Sequence, residues 1–422
     1  MSERRPHILI IGGGFAGLYT ARGVRHLDAD VTLLDRHNYH LFQPLLYQVA
    51  TAGLNPSDIA APIRGILRRQ KNVSVILGEA TSIDVASRRV QLADGASLTY
   101  DLLVLATGAT HSYFNHPEWE RDAPGLKTID DALEIRRRVL GAFEAAERES
   151  DPEKQRALLT FVVIGGGPTG VELAGALSEI ARQTMVRDFR NIHPESARII
   201  LIEGKERVLP VYPPDLSEKA RKQLVHLGVE VILGANVTEL TDRGVRAGDR
   251  VIPTHTVLWG AGVQASPLAR SLGVPLDRAG RVLVEPDLTV PGHKEIFVLG
   301  DLAAARQHDG SFVPGVAPAA IQAGQHTALN LQRAVEGQPL RAFKYRDKGS
   351  LATIGRAAAV ADFGRVRFGG FLAWMAWLVI HLFFLIGFRN RFLVITQWAW
   401  AYLTYQRGAR LITGETKNLL RS

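Results

Sequence analysis

The chain has 422 residues, of which 46% are hydrophobic, and its formal net charge is +8. This length and composition predict about two or three folded domains with buried cores, and they exclude a disordered chain. The sequence contains no cysteine, which excludes disulfides, thiolate metal sites, iron–sulfur clusters and redox-active cysteine pairs.

The first predicted element is an apolar strand over 8–11, and no hydrophobic signal segment precedes it, so we expect the folded part to be cytoplasmic. The strand leads into Gly12, Gly14 and Gly17 and then into a helix, which is the order of a dinucleotide-binding turn. Glycines let backbone N–H groups approach a pyrophosphate, whose charge the helix N-terminus favours. The next strand ends at Asp35, where an acid can bind ribose hydroxyls. An ordinary tight turn followed by a strand-end acid is the alternative.

A second glycine turn follows a strand over 161–164, with Gly165, Gly167 and Gly170 at the same spacing. The next strand ends at Glu203, farther from its glycines than Asp35 is from the first set. A carboxylate here pairs with a free ribose 2′-hydroxyl and repels a 2′-phosphate. We therefore predict NADH rather than NADPH as the ligand of the second turn.

Two glycine turns predict two dinucleotides. The simplest pairing places FAD on the first turn and NADH on the second, because NADH must leave whereas FAD can stay and hold its electrons. A tandem repeat of one nucleotide domain is the alternative. Three later segments favour the pairing: "DLLVLATGA" (101–109) and "TVLWGAGV" (256–263) are apolar strands that end in small residues, and "IFVLGDLAAA" (296–305) places Asp301 after a buried strand.

These segments together resemble the two-dinucleotide-binding flavoprotein reductases, which have the glutathione-reductase-like fold. Three further stretches resemble bacterial type II NADH:quinone oxidoreductases: "NYHLFQPLLYQVATAGLNPSDIAAPIR" (38–64), "GVAPAAIQAGQHTALN" (315–330) and "WLVIHLFFLIGFRNRFLVITQWAWAYLTYQRGARLI" (377–412). The resemblance implies an α/β fold with two Rossmann-like dinucleotide-binding domains and a C-terminal membrane-anchoring segment. It also implies that NADH passes hydride to FAD and that a quinone takes the electrons.

The resemblance assigns cofactor binding to the two turns, their strand-end acids, the small residues after later strands and the start of the helix near 317. These residues are Gly12, Gly14, Phe15, Ala16, Gly17, Asp35, Arg36, Ala106, Thr107, Gly108, Gly165, Gly167, Gly170, Glu203, Gly262, Gly300, Asp301, Ala317 and Pro318. No group of His, Asp and Glu has convincing metal-ligand spacing, so no metal site is predicted.

Two residues are candidates for catalysis. Glu172 is predicted in the first turn of a helix, where it either complements the helix dipole or, as the resemblance implies, lies beside nicotinamide and flavin. Gln322 matches the later of two glutamines in many quinone-reducing relatives, and Pro318 replaces the earlier one; the alternative for Gln322 is an ordinary polar helix residue. The apolar segment 41–49 either packs beneath the flavin or lines a quinone tunnel. Lys348 faces either the quinone pocket or solvent.

The C-terminal segment is apolar and basic. Residues 368–388 contain no Asp, Glu, Lys or Arg, and residues 389–422 hold six Lys/Arg against one Glu. A buried core helix, a single membrane span and helices that lie in the membrane interface are the three alternatives. We favour the interfacial arrangement, because aromatic rings beside arginines suit lipid headgroups. Basic residues beside an apolar segment, rather than in a polar groove, disfavour nucleic-acid binding.

The predicted domains are an FAD-binding domain in two parts (1–112 and 286–345), a linker helix with an NADH-binding domain (113–285) and a membrane-associated domain (346–422). The predicted protein is a peripheral NADH:quinone oxidoreductase on the cytoplasmic face of the cell membrane, which pumps no protons and uses a quinone of the menaquinone or ubiquinone type. A soluble-type NAD(P)H reductase that feeds a ferredoxin-like protein and a redox-sensing protein that binds FAD and NADH are the alternatives. The sequence leaves open whether the protein is a homodimer.

Overall fold

The computed structural model describes residues 4–404 and 407–413. Its strands are β1 (His7–Ile11), β2 (Asp30–Asp35), β3 (Tyr39–Leu41), β4 (Ala60–Pro62), β5 (Val73–Leu77), β6 (Ala80–Asp84), β7 (Arg89–Leu92), β8 (Ser97–Thr99), β9 (Leu102–Leu105), β10 (Ala109–His111), β11 (Thr160–Ile164), β12 (Arg198–Glu203), β13 (Val229–Leu233), β14 (Val237–Thr241), β15 (Gly244–Ala247), β16 (Arg250–Pro253), β17 (Thr256–Trp259), β18 (Val263–Ala265), β19 (Val282–Leu283), β20 (Thr289–Val290), β21 (His293–Val298), β22 (Ala303–Ala304), β23 (Ser350–Gly355), β24 (Ala358–Asp362) and β25 (Arg367–Gly369). Its α-helices are α1 (Phe15–Gly23), α2 (Leu46–Ala50), α3 (Pro56–Ile59), α4 (Ile63–Leu67), α5 (Trp119–Asp122), α6 (Ile129–Arg148), α7 (Pro152–Leu158), α8 (Pro168–Glu179), α9 (Pro214–His226), α10 (Ala317–Val335), α11 (Phe371–Phe384) and α12 (Phe388–Thr404).

The first of two compact units comprises Met1–Leu41, Ala60–Thr110 and Val263–Lys348. Its main sheet has the strand order β20-β21-β9-β1-β2-β5, and only β20 runs antiparallel to its neighbour. The central strands are continuous apolar runs, as expected for parallel strands that are covered on both faces. Helices α1 and α10 approach closely, because a Cβ on Gly324 would lie 2.3 Å from the carbonyl oxygen of Ala16.

The second unit comprises Phe42–Ile59, His111–Gly262 and Gly349–Ser422. It contains a parallel sheet of order β13-β12-β11-β17 and two antiparallel sheets, β14-β15-β16 and β23-β24-β25. In each unit a central strand is followed by a glycine turn and a helix: β1 and α1 in the first unit, β11 and α8 in the second. The α/β class that the sequence predicts is therefore confirmed.

The C-terminal helices α11 and α12 form what we call the tail helices. Helix α11 is apolar on both faces, and one face is buried while the other is exposed. Ala373 and Trp377 are buried, and Ala373 packs in a small cluster with residues of β24. Leu372 and Phe383 are 69% and 68% exposed. Among the described residues, every helix falls short of the combined length and hydropathy that a membrane span requires. The segment thus combines core packing with an uncovered apolar face.

Candidate functional site

The first glycine turn is fixed by the close approach of backbone atoms in the first unit. Gly12 has a φ of +104°, and its N–H donates to the carbonyl of Leu34 at 2.8 Å. A Cβ on Gly12 would lie 2.3 Å from the carbonyl oxygen of Ala106, and a Cβ on Gly17 would lie 1.8 Å from that of Gly12. Glycine at 12 and 17 is therefore required by the fold itself.

The second unit repeats this geometry. Gly165 has a φ of +105°, and its N–H donates to the carbonyl of Ile202 at 2.7 Å. A Cβ on Gly165 would lie 2.6 Å from the nitrogen of Ala261, and a Cβ on Gly170 would lie 1.8 Å from the carbonyl oxygen of Gly165. The two turns are thus built by the same contacts.

The strand-end acids hold the two turns in the same way. Asp35 accepts the N–H of Gly13 at 2.5 Å, and Glu203 accepts the N–H of Gly166 at 2.6 Å. The other oxygen of each carboxylate accepts the N–H of the residue two positions on, at 2.6 and 2.8 Å. Since a carboxylate has about four lone-pair sites, both acids support their turns and retain acceptor capacity for ribose hydroxyls.

The middle glycines, Gly14 and Gly167, have no structural requirement within the described residues. Their φ angles are −69° and −72°, which any residue can adopt, and no protein atom lies within 4 Å of an added Cβ. Both lie directly before a helix, where unpaired N–H groups and the helix dipole favour a phosphate. The open space fits a dinucleotide pyrophosphate at each turn.

Other predicted cofactor residues of the first unit gather around the first turn. Ala106 contacts it, and the hydroxyl of Thr107 is buried without a hydrogen-bond partner among the described residues. A Cβ on Gly300, which has a φ of +64°, would lie 3.6 Å from the Cβ of Ala16, and Gly300 directly precedes Asp301. Separate segments of the sequence therefore converge there.

Three further predicted cofactor residues lie against side chains of their own unit: Phe15, Arg36 and Gly262. The Phe15 ring packs edge-on against the buried His40 at 5.1 Å. The Arg36 guanidinium is exposed and lies 4.0 Å from the Glu79 carboxylate, a pair that contributes little to stability. Gly262 has a φ of +76°, and an added Cβ would lie 2.6 Å from the ring of Phe114.

Helix α10 begins at Ala317, with Pro318 in its first turn. The side-chain amide of Gln322 donates to the carbonyl of Arg346 at 2.9 Å and accepts the N–H of the same residue at 3.0 Å. Gln322 therefore ties α10 to the segment that leads to the exposed Lys348.

A cavity of about 130 Å³ lies within the second unit, beside the tail helices. Its volume is close to the roughly 150 Å³ at which an apolar cavity holds a benzene ring. Aromatic and polar side chains share its lining, among them Tyr47, Gln48, Glu172, Glu179, Trp374, Trp377, Trp398, Tyr402 and Arg407. We call this the tail pocket.

Glu172 lines the tail pocket from α8. The helix begins at Pro168, so Glu172 lies one turn farther in than the sequence predicts, beyond the first turn in which the dipole acts. The carboxylate accepts the N–H of Thr353, and burial raises its pKa well above the usual range. An acid that binds protons this strongly beside a cavity is a candidate proton donor.

Sequence analysis missed the polar chain that connects the tail to the segment 42–59. Trp398 donates its indole N–H to the side-chain oxygen of Gln48 at 2.7 Å, and the Gln48 amide donates to the hydroxyl of Tyr47 at 2.9 Å. Burial and the nearby Glu172 raise the pKa of Tyr47. The apolar character of 41–49 indicated burial there, but nothing in the sequence paired Gln48 with a residue 350 positions away.

Sequence analysis also missed Arg136, which is buried on α6. Its guanidinium donates to the carbonyls of Val49 and Leu54 at 2.5 to 2.8 Å. The available signal was its place in an apolar pattern of 3–4 spacing with Ala132, Val139 and Leu140. Arg136 fixes the backbone around the end of α2.

Comparisons with known proteins agree over most of the chain. The family profile described as pyridine nucleotide-disulphide oxidoreductase matches residues 6–324, and the profile described as NDH2 C-terminal domain matches residues 348–405. Two relatives from Mycobacterium tuberculosis, the type II NADH:quinone oxidoreductases NdhA and Ndh, are 46% and 45% identical, over 97% and 98% of this chain and 90% and 91% of theirs. A structure of NDH2 from Plasmodium falciparum in complex with NADH has a TM-score of 0.88 at 20% identity, covers 97% of this chain and all of the other, and supports the fold.

Proposed function

The chain belongs to the type II NADH:quinone oxidoreductases, and on that premise we propose that it passes hydride from NADH to FAD and two electrons onward to a quinone, without pumping protons. The observation that carries the proposal is the pair of glycine turns with identical geometry, each with open space at its middle glycine. Bound FAD supplies the redox chemistry, because it accepts hydride and releases electrons. The residues of the protein bind and orient NADH, FAD and the quinone, and they supply protons.

We assign FAD to the first unit and NADH to the second. Gly14 and Asp35 bind the pyrophosphate and ribose of FAD, with the segments around Ala106 and Asp301 beside them. Gly167 and Glu203 bind the corresponding groups of NADH. Gln322 positions the start of α10 and the segment after it through its two bonds to Arg346.

The acid at Glu203 leads us to expect a preference for NADH. A carboxylate that already supports the turn cannot move away from a 2′-phosphate without giving up its bond to Gly166. The value of kcat/KM should be at least about tenfold higher for NADH than for NADPH, and Glu203→Ala should narrow the ratio. Equal values for the unchanged protein would contradict the assignment.

We assign the quinone ring to the tail pocket. Its aromatic lining suits a planar quinone head group, and Glu172 offers a proton that quinone reduction consumes. Steady-state NADH oxidation should depend on a short-chain menaquinone or ubiquinone. If only a ferredoxin-like protein supports turnover, the assignment to a quinone is wrong.

We propose that the uncovered face of the tail helices lies in the lipid interface of the cytoplasmic side of the membrane. Large apolar side chains follow that face, and tryptophans and arginines accompany them, as in interfacial helices. The exposed members include Phe371, Leu372, Met375, Val379, Phe383, Phe392, Ile395, Trp400 and Leu403. A lipophilic quinone occupies the same layer.

Placing a charge on this face should release the protein from membranes. Burial of a large apolar side chain contributes roughly 1.5–3 kcal/mol, so Leu372→Glu and Phe383→Glu should each weaken partitioning into liposomes at least about tenfold. Leu329→Glu is the matched control, since Leu329 is 59% exposed on α10. Sedimentation of both tail variants with liposomes as complete as that of the control would contradict the interfacial arrangement.

A further inference from the structure

The segment after α12 contributes the guanidinium of Arg407 to the tail pocket, in addition to the side chains that α11 and α12 contribute. Arg407, which follows α12, donates to the carbonyl of Thr51 at 2.8 Å and to the carboxylate of Glu179 at 2.8 Å. Both members of the ion pair are largely buried, with 13% and 17% of their side chains exposed. Removal of one partner from such a pair leaves the other charge poorly solvated.

Thr51 is the C-cap of α2, where helix carbonyls lack intrahelical partners. Arg136 binds the carbonyl of Val49 two residues earlier, and Arg407 binds that of Thr51. Two arginines that are far apart in the sequence therefore hold the end of α2. This short helix carries Tyr47 and Gln48 into the pocket lining.

Glu179 joins the other side of the same arrangement. It is the last residue of α8, directly before a π-helical turn over Ile180–Thr184, a feature that is frequent at functional sites. Its second oxygen accepts the N–H of Arg356, in the turn between β23 and β24. One carboxylate thus connects α8, that turn and the tail.

We propose that Arg407 is a positioning residue of the quinone site: it fixes α2 and the end of α8 at the distance that the bound ring requires, so that the tail completes the site in addition to attaching the protein to lipid. This inference rests on the assignment of quinone to the tail pocket. The partners of the Arg407 guanidinium are the carbonyl of Thr51 and the carboxylate of Glu179, both beside the tail pocket, so we expect its loss to affect the quinone step alone.

The test compares Arg407→Gln with Arg407→Lys and with Arg410→Gln. Arg410 pairs with Asp188 and donates to the backbone carbonyl of Arg407, but neither Arg410 nor Asp188 lines the pocket. Its substitution therefore shows whether disturbing the tail segment alone changes KM. Arg407→Gln should raise KM for a short-chain menaquinone about tenfold while NADH oxidation by ferricyanide stays within about twofold. Arg407→Lys should recover part of the loss, since a lysine can pair with Glu179 but lacks the planar fork that serves two acceptors. Arg410→Gln should retain the original KM.

A second measurement separates positioning from general destabilisation. If the carboxylate and guanidinium act as one unit, Glu179→Gln combined with Arg407→Gln should raise KM little further than either change alone.

An unchanged quinone KM in Arg407→Gln, or an equal rise in Arg410→Gln, overturns the positioning role while the proposed function stands. Absence of quinone reduction in the unchanged protein overturns the proposed function instead. In that case, the fluorescence of the pocket tryptophans Trp374, Trp377 and Trp398 can be followed while the quinone is added. This titration still tests whether Arg407→Gln alters binding of the ring.

Discussion

Gly14→Val should give a folded protein that purifies without FAD. The φ of −69° at Gly14 suits valine, and no protein atom lies near an added Cβ, so the fold tolerates the side chain while the pyrophosphate loses its space. Flavin content, measured by absorbance against protein concentration, should fall below about a tenth of the original. The melting temperature of the flavin-free protein should match that of the unchanged protein from which FAD has been removed.

Two companion variants sharpen this result. Gly167→Val should keep its FAD and lose reduction by NADH, because the second turn has the same open space. Gly17→Ala should fail to fold, because its Cβ would lie 1.8 Å from a backbone carbonyl. A Gly14→Val protein with full flavin content would show that the first turn does not bind the dinucleotide.

Glu172→Gln should slow quinone reduction at least about fivefold while FAD remains bound. Burial raises the pKa of the carboxyl, so the group holds a proton at higher pH than an ordinary Glu and can donate it. Glutamine keeps the shape and hydrogen bond but releases no proton, and loss of a general acid typically costs more than a few-fold in rate. Single-turnover reoxidation of reduced flavin by menaquinone measures the step directly. An unchanged rate would leave Glu172 without a catalytic role.

Stability against pH gives an independent check on Glu172. Burial raises the pKa of this carboxyl in the folded protein above its ordinary pKa of 4.5. Its contribution to stability is therefore complete below pH 4.5 and is lost as the pH rises through the pKa of the folded protein. The Glu172→Gln variant does not show this loss of stability, because glutamine does not titrate. The free energy of unfolding of the variant, relative to the unchanged protein, should therefore increase as pH rises above 4.5. A difference that is constant with pH would show that the carboxyl titrates normally.

The two glycine turns could be predicted from sequence because their geometry is local. A strand, a turn without side chains and a helix within a few residues specify one backbone path, and the strand-end acid follows at a limited distance. The position of Glu172 relative to its helix start was one turn in error, although Pro168 is a common signal for the first helical position. Local sequence rules thus predicted the two glycine turns better than they predicted where α8 begins relative to Glu172.

The tail pocket could not be predicted in the same way. Glu179 and Arg407 are 228 residues apart, and an isolated sequence offers no spacing rule for such a pair. The tail composition indicated an apolar surface, which the structure has on one face only. The other face packs into the second unit, because Ala373 and Trp377 occupy the helical positions that face β24 and α2.

An anaerobic titration tests the central claim most directly. The purified yellow protein in detergent receives one equivalent of NADH while the visible flavin band is followed, and a short-chain menaquinone is then added. The account predicts that NADH bleaches the band and that the quinone promptly restores it. Bleaching that only ferricyanide or a protein acceptor reverses would contradict the assignment of a quinone to this enzyme.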